Sequence, residues 1–184
     1  MPSLVRKTLP VSIALLLAAC VCALAAPIRL RSGAVEPPAK KDIPVSLLSY
    51  DSVGEAVYLV QFAGPPMEGW KAAVEGMGAK LGDYVPENAY IARMNAQEAR
   101  NVFALEFVAW VQRLLSSHRY DKALAETGPM TREVVISLFP GTPRDDVEKV
   151  LRRYGGKLLD KGNPSQRLIK ASLPPQAVEF VARV

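Results

Sequence analysis

The sequence has little of the side-chain chemistry on which most enzymes depend. It contains one histidine, His118, and two cysteines, Cys20 and Cys22, and both cysteines lie in an apolar stretch near the N-terminus. A metal site, or a nucleophile with its base, needs several such groups close together. No glycine-rich phosphate loop of either common spacing is present. We therefore predict no enzymatic activity in this chain and no catalytic, cofactor-binding or metal-binding residues. His118 is interpreted as a solvated loop residue.

The sequence also lacks an apolar run long enough for a stable membrane span. Residues 1–25 have a basic start, an apolar middle and an A-x-A pattern ending at Ala25, which together are typical of a secretory signal peptide. Cleavage there predicts a secreted bacterial protein without cysteine, and so without disulfides. Residues 17–20 also resemble a lipobox, which would place a lipid anchor on Cys20 at the cell envelope. The apolar residues that follow Cys20 make simple cleavage the favoured interpretation.

The charge balance argues against one class of partner. The formal net charge is +5, and the loss of Arg6 and Lys7 with the signal peptide lowers it to +3. This small excess is spread along the chain instead of forming a basic patch, so we expect no nucleic-acid partner.

The most informative feature is an internal repeat at a shift of 77 residues. Residues 57–86 align with residues 134–163, and eight positions of the first segment meet identical residues in the second: Val57, Phe62, Gly64, Pro66, Gly78, Lys80, Leu81 and Asp83. One inserted position later, Tyr90 and Ile91 align with Leu168 and Ile169. A period of this length is typical of two small domains and too long for a solenoid repeat.

Both copies have the same predicted order of elements. A β-branched and aromatic run predicts a strand, and a helix, two strands and a second helix follow. Gly78 and Gly155 come directly after the first helix of each copy, where a left-handed glycine is typical. In the second copy Thr142 is predicted to cap that helix, with Pro143 at its first position.

The second helix of the first copy has its own start signal. Asn95 is followed three residues later by Glu98, which predicts a capping box. The first copy then continues into another strand, Phe107–Leu114, whereas the second copy ends inside its second helix. We therefore expect the chain to be the N-terminal piece of a longer protein, because a domain rarely stops where a strand is still needed.

This element order, β-α-β-β-α-β, predicts an α+β fold of tandem ferredoxin-like domains. Each domain is expected to have an antiparallel sheet with two helices on one face, and the second copy lacks its last strand. The predicted organisation is a signal peptide at 1–25, a disordered linker at 26–55, copy 1 at 56–114, a connector at 115–133 and copy 2 at 134–184.

Three segments of the first copy carry a resemblance to a known family. They are the GAKL segment at 78–81, the hairpin DYVPENAY at 83–90 and the strand ALEFVAWV at 104–111. Together with the strand and helix start before them, they resemble the N-terminal prodomain region, including the fervidolysin-like type, of secreted subtilisin-like serine proteases (subtilases). The catalytic Asp, His and Ser motifs of that family are absent from this chain.

The resemblance implies a propeptide that acts as an intramolecular chaperone and autoinhibitor. Its partner would be a subtilisin-like protease domain located downstream in the same precursor, which docks on the open face of the prodomain sheet. The segment after the last strand of the first copy would then enter the protease cleft as a tail: Leu115, Ser116, Ser117, His118, Arg119 and Tyr120. Two alternatives stay open, a freestanding secreted protease inhibitor and a non-enzymatic extracellular tandem binding module.

Overall fold

The computed structural model describes residues 25–37, 54–126, 128, 130–160, 163 and 166–184. The predicted signal peptide up to residue 24 and part of the predicted linker lie outside the described residues. Across the described ranges the fold is mixed α and β, and its strands form antiparallel sheets. No helix in these ranges is long and apolar enough to cross a membrane.

The described chain begins with a hairpin where we predicted a linker. Strand β1 (Ile28–Leu30) pairs with β2 (Gly33–Val35), and Gly33 has a φ of 131°, a value that side chains with a Cβ rarely adopt. Ile28 is fully buried. The prediction of a disordered linker was therefore wrong for residues 28–35.

The first half of the chain forms a four-stranded antiparallel sheet in the spatial order β4-β5-β3-β6. Two helices pack on one of its faces, where their apolar side chains join the core of the sheet. In chain order the elements are β3 (Ala56–Phe62), α1 (Glu68–Gly76), β4 (Lys80–Val85), β5 (Ala89–Met94), α2 (Ala96–Phe103) and β6 (Val108–Arg113).

Both faces of strand β3 are apolar, and other parts of the chain pack on each of them. Tyr58, Val60 and Phe62 point towards the two helices, as the alternation of a strand requires. Val57 and Leu59 point the other way, into a second cluster made with the β1–β2 hairpin. The face of this sheet that we expected to be open is therefore covered.

The predicted capping box of α2 and the two predicted left-handed glycines are confirmed. The Asn95 side chain accepts hydrogen bonds from the backbone N–H groups of Gln97 and Glu98, both at 2.9 Å, and Glu98 Oε2 accepts one from the Asn95 N–H at 2.7 Å. Gly78 and Gly155 have positive φ values of 96° and 81° directly after α1 and the corresponding helix of the second half.

The second half forms a three-stranded antiparallel sheet in the order β7-β9-β8. Its core lies between this sheet and its helices, and Val147 and Leu151 are buried there. The elements are α3 (Lys122–Ala125), which precedes the sheet, and then β7 (Arg132–Ser137), α4 (Arg144–Arg153), β8 (Lys157–Leu158), β9 (Leu168–Leu173) and α5 (Val178–Val181).

The start of α4 differs from the prediction by one residue. Pro143 occupies the N-cap position and Thr142 lies before it, and no side chain caps the helix. Arg144 is the first helical residue and Asp145 and Asp146 lie in the first turn, where negative charge interacts favourably with the helix dipole. The two carboxylates therefore stabilise a helix start at which no side chain caps the backbone N–H groups.

The first strands of the two halves correspond at a shift of 76 residues instead of 77. The Phe62 N–H donates to the Asn88 carbonyl at 2.9 Å, and the Leu138 N–H donates to the Arg167 carbonyl at 2.7 Å. Leu138 faces the helices of the second half as Phe62 faces those of the first. The predicted equivalence of Phe62 and Phe139 is therefore wrong. A slip of one residue moves a side chain to the opposite face of a strand.

Candidate functional site

Strand β7 has a neighbour on only one side among the described residues. It pairs with β9, whereas its counterpart β3 lies between β5 and β6. Because the Leu138 N–H points to β9, the alternation of an antiparallel strand directs the backbone groups of Glu133, Val135 and Ser137 the other way. Among the described residues no strand lies beside these groups, and they form the open edge of the sheet.

A groove with a volume of about 770 Å³ runs along this edge. We call it the β7 groove. One wall is β7 itself, a second is the apolar side of α5 with Val178 and Val181, and a third is the first sheet with Leu59 and Ile91. Its size lies within the range of about 300–1,000 Å³ that is usual for binding pockets in proteins. The site therefore combines apolar walls with a row of unpaired main-chain groups.

Arg119 holds the junction of the two halves beside the groove. Its guanidinium donates to the Leu114 carbonyl from Nε at 3.2 Å and from Nη2 at 3.0 Å, and to the Ala182 carbonyl from Nη1 at 3.0 Å. The same group lies over the Phe139 ring, 5.0 Å from its centroid. Burial lowers the pKa of Arg119 to about 10, so the side chain remains cationic at neutral pH. It joins the end of the first sheet to the end of the chain.

The segment predicted as a protease-cleft tail has a compact conformation. Ser116–His118 form a short 3-10 turn between Leu115 and Arg119. The Ser32 hydroxyl donates to the His118 carbonyl at 3.1 Å, and Tyr120 packs on the core of the second half. The expectation of an extended tail is therefore wrong for this conformation. To lie in a cleft like a substrate, the segment would have to unfold its turn and Arg119 would have to lose its hydrogen bonds.

His118 is not the solvated loop residue that we predicted. It is half-buried in the wall of the β7 groove, and its Nδ1 has no hydrogen-bond partner among the described residues. Burial lowers the pKa of the His118 imidazole below its usual value, and the charge of Lys122 lowers it further. The neutral imidazole is thus the form that the folded chain favours.

The contacts between the halves are the part of the site that sequence reasoning missed. Arg167 and Asp83 form an ion pair, and Arg93 Nη1 donates to the Thr142 hydroxyl at 3.3 Å. A Cβ added to Gly82 would lie 2.9 Å from Cγ of Pro140, so the loop after β7 packs directly on strand β4. Nothing in the repeat pattern pairs these positions, because they correspond to different places in the two copies.

The arrangement of the β7 groove is suited to binding a polypeptide. Among the residues that the structure describes, no group of three or more His, Cys, Asp or Glu side chains could hold a metal ion. The groups that line the β7 groove are mainly apolar side chains and main-chain donors and acceptors. Such a surface recognises another polypeptide through its backbone and its apolar side chains.

Comparison with known proteins gives one match. The family described as Domain of unknown function (DUF8729) matches residues 29–115, a range that includes most of the β1–β2 hairpin and all of the first sheet. The chain is similar to this family over the first half. No curated protein and no solved structure matches the chain.

Proposed function

We propose that this chain is the propeptide region of a secreted subtilisin-like protease precursor, in which it chaperones and inhibits the protease domain. In this proposal the two halves are tandem ferredoxin-like units, and the second lacks the strand that β6 supplies in the first. The β-α-β-β-α-β order of the first half and the strand order β4-β5-β3-β6 support that assignment, as does the matching order β7-β9-β8.

The observation that carries the proposal is the difference between the two sheets on the face away from their helices. In the first sheet the hairpin and Phe139 cover this face. In the second sheet Val135 and Leu168 are 63% and 61% exposed on neighbouring strands. We call this surface the β7–β9 face. A sheet with helices on one side and exposed apolar residues on the other is suited to docking on a folded partner.

The proposal assigns protease binding to the second half. A domain that binds the folded protease and not the unfolded chain stabilises the folded state by mass action, which is the thermodynamic basis of chaperoning. Lys170 lies opposite Val135 on β9, and the exposed Glu133 is on the same side of β7 as Val135, so the docking face also carries charges of both signs. A protease surface with apolar residues between a carboxylate and a basic side chain would complement it.

The test uses the protease domain of the proposed precursor and residues 26–184 added in trans. Inhibition is measured by the hydrolysis of a chromogenic peptide, and chaperoning by the recovery of activity after denaturation. The double variant Val135→Asp/Leu168→Asp should raise the inhibition constant at least about tenfold, because it places two charges at the interface core. Met130→Asp is the matched control, since Met130 is 77% exposed outside this face.

The outcomes separate the three functions considered. Inhibition together with recovered activity supports the propeptide. Inhibition without any effect on refolding supports a freestanding inhibitor instead. If neither rate changes at micromolar excess, the protease proposal fails and the extracellular binding module takes its place.

A further inference from the structure

The β7 groove differs from the β7–β9 face in what it offers to a partner. The face presents side chains, whereas the groove presents the main-chain groups of Glu133, Val135 and Ser137, which have no strand partner in the part of the chain that the structure describes. An edge of this kind binds another strand, because only a polypeptide in extended conformation supplies donors and acceptors at the matching spacing.

The first half contains a strand at the corresponding place. There β6 lies antiparallel to β3, on the side opposite β5. Val108 and Val111 point into the core on the helix side, and Trp110 and Leu114 point into the cluster on the other side. The strand that fills this position in the first half is therefore apolar on both faces.

The walls of the β7 groove are built for a strand of the same kind. On the helix side they present Val147, Val178 and Val181, and on the other side they present Leu59 and Ile91 of the first sheet. A strand beside β7 would place alternate side chains against these two sets. The lining also includes charged residues, such as Arg31, Arg119 and Asp121, and the two apolar sets are the part of it that the alternate side chains of such a strand would meet.

We propose that the β7 groove binds an extended apolar segment of a partner polypeptide, aligned antiparallel to β7 as β6 is aligned to β3. The segment has about the length of β6, which is six residues. This inference rests on the open edge and does not require that the partner be a protease.

The probe is a peptide with the sequence of residues 106–115, acetylated and amidated at its ends and labelled for fluorescence anisotropy. Its scrambled sequence is the peptide control. On binding, hydrogen exchange at the Glu133, Val135 and Ser137 amides should slow, because these three N–H groups gain partners. The Val134 and Ile136 amides, which already face β9, should change little.

Protein variants locate the site of binding. Val181→Glu places a charge in the groove wall and should weaken the peptide at least about tenfold. Val135→Pro removes one outward N–H and leaves the pairing with β9 in place, so it should weaken the peptide as well. Leu168→Asp lies on the β7–β9 face and outside the lining of the groove, so it should bind the peptide within about threefold of the unchanged protein.

Circular dichroism establishes whether each variant is folded. If Val135→Pro does not fold, the effect of Val181→Glu on peptide binding tests the proposal by itself. No binding at high micromolar peptide, or exchange protection at β4 or β8 in place of β7, overturns the proposal. If the exchange protection of the β7 amides increases with protein concentration and does not change when peptide is added, the proposal is overturned. Such a result would indicate that β7 pairs with a second copy of the chain. Peptide binding is measured without any protease, so an absence of inhibition in the protease assay leaves the groove assignment intact and the two proposals fail separately.

Discussion

Asp83 and Arg167 lie in different halves of the chain and form two parallel hydrogen bonds, Nη1 to Oδ1 at 3.0 Å and Nη2 to Oδ2 at 2.5 Å. Hydrogen bonding to Arg167 lowers the pKa of the Asp83 carboxyl, and the same contact raises the pKa of Arg167. Paired geometry of this kind fixes orientation as well as distance. It links the residue that precedes β9 of the second half to β4 of the first.

The pair is solvent-exposed, so its contribution to stability is expected to be small. A double-mutant cycle with Asp83→Asn and Arg167→Gln should give a coupling free energy of about 0.2–1 kcal/mol that decreases with added salt. Because the folded-state pKa of Asp83 is lowered, this contribution is fully present above the usual carboxyl pKa and is lost as the pH falls from there through the lowered folded-state pKa. Urea denaturation at neutral and acidic pH measures both effects, and a coupling unaffected by salt would contradict this account.

Arg119 should contribute more, because it is half-buried and donates to two main-chain carbonyls. Arg119→Lys keeps the positive charge but cannot donate to the Leu114 and Ala182 carbonyls in the same planar arrangement. We expect the free energy of unfolding to fall by about 2 kcal/mol. Arg29→Lys is the control, since Arg29 is exposed on β1. Equal denaturation midpoints for the two variants would show that Arg119 does not hold the halves together.

Gly82 tests the packing between the halves without any charge. In Gly82→Ala the new Cβ would lie 2.9 Å from Cγ of Pro140, whose ring cannot rotate away. The cost of such overpacking is about 1–3 kcal/mol. In Gly69→Ala no atom lies within 4 Å of the new Cβ, and this helical position should be neutral or gain up to about 1 kcal/mol. A higher melting temperature for Gly82→Ala than for Gly69→Ala would contradict the close packing of Gly82 on Pro140.

His118 should make stability depend on pH. Its folded-state pKa is lowered, chiefly by burial, so the unfolded chain binds the proton more readily. The folded state is therefore fully favoured above the usual histidine pKa near 6.5 and loses stability as the pH falls through that value. His118→Gln removes this group, so the melting temperature should decrease less between neutral and mildly acidic pH than it does in the unchanged protein. A variant with the same slope as the unchanged protein would place the titrating group elsewhere.

The sequence predicted the features that depend on a few neighbouring residues. The capping box of Asn95 and Glu98 and the left-handed Gly78 and Gly155 are local, because each satisfies backbone groups within one turn of a helix. The sequence pattern could not predict which residues of β3 point to which face, since a strand that is buried on both sides does not alternate between apolar and polar residues. The repeat alignment therefore paired Phe62 with Phe139, one residue away from its structural counterpart.

The candidate site could not be predicted in the same way. The β1–β2 hairpin has strands of three residues, too short for a pattern, and it is held by packing on a sheet that follows later in the chain. The β7 groove arises from the meeting of two halves whose contacts, such as Asp83 with Arg167, have no counterpart within either copy. Only the tertiary arrangement brings its walls together.

The hairpin also determines where the first unit can be separated from the rest of the chain. The buried Gln61 side chain donates from Nε2 to the Ala26 carbonyl at 2.8 Å and to the Glu87 carbonyl at 2.9 Å, which ties the residue after the predicted signal to the centre of the sheet. A recombinant fragment that begins at Ala56 would expose Trp110 and Leu59 to water and leave the Gln61 amide short of an acceptor. A fragment that is meant to keep this contact therefore has to start at Ala26, thirty residues before the first long strand.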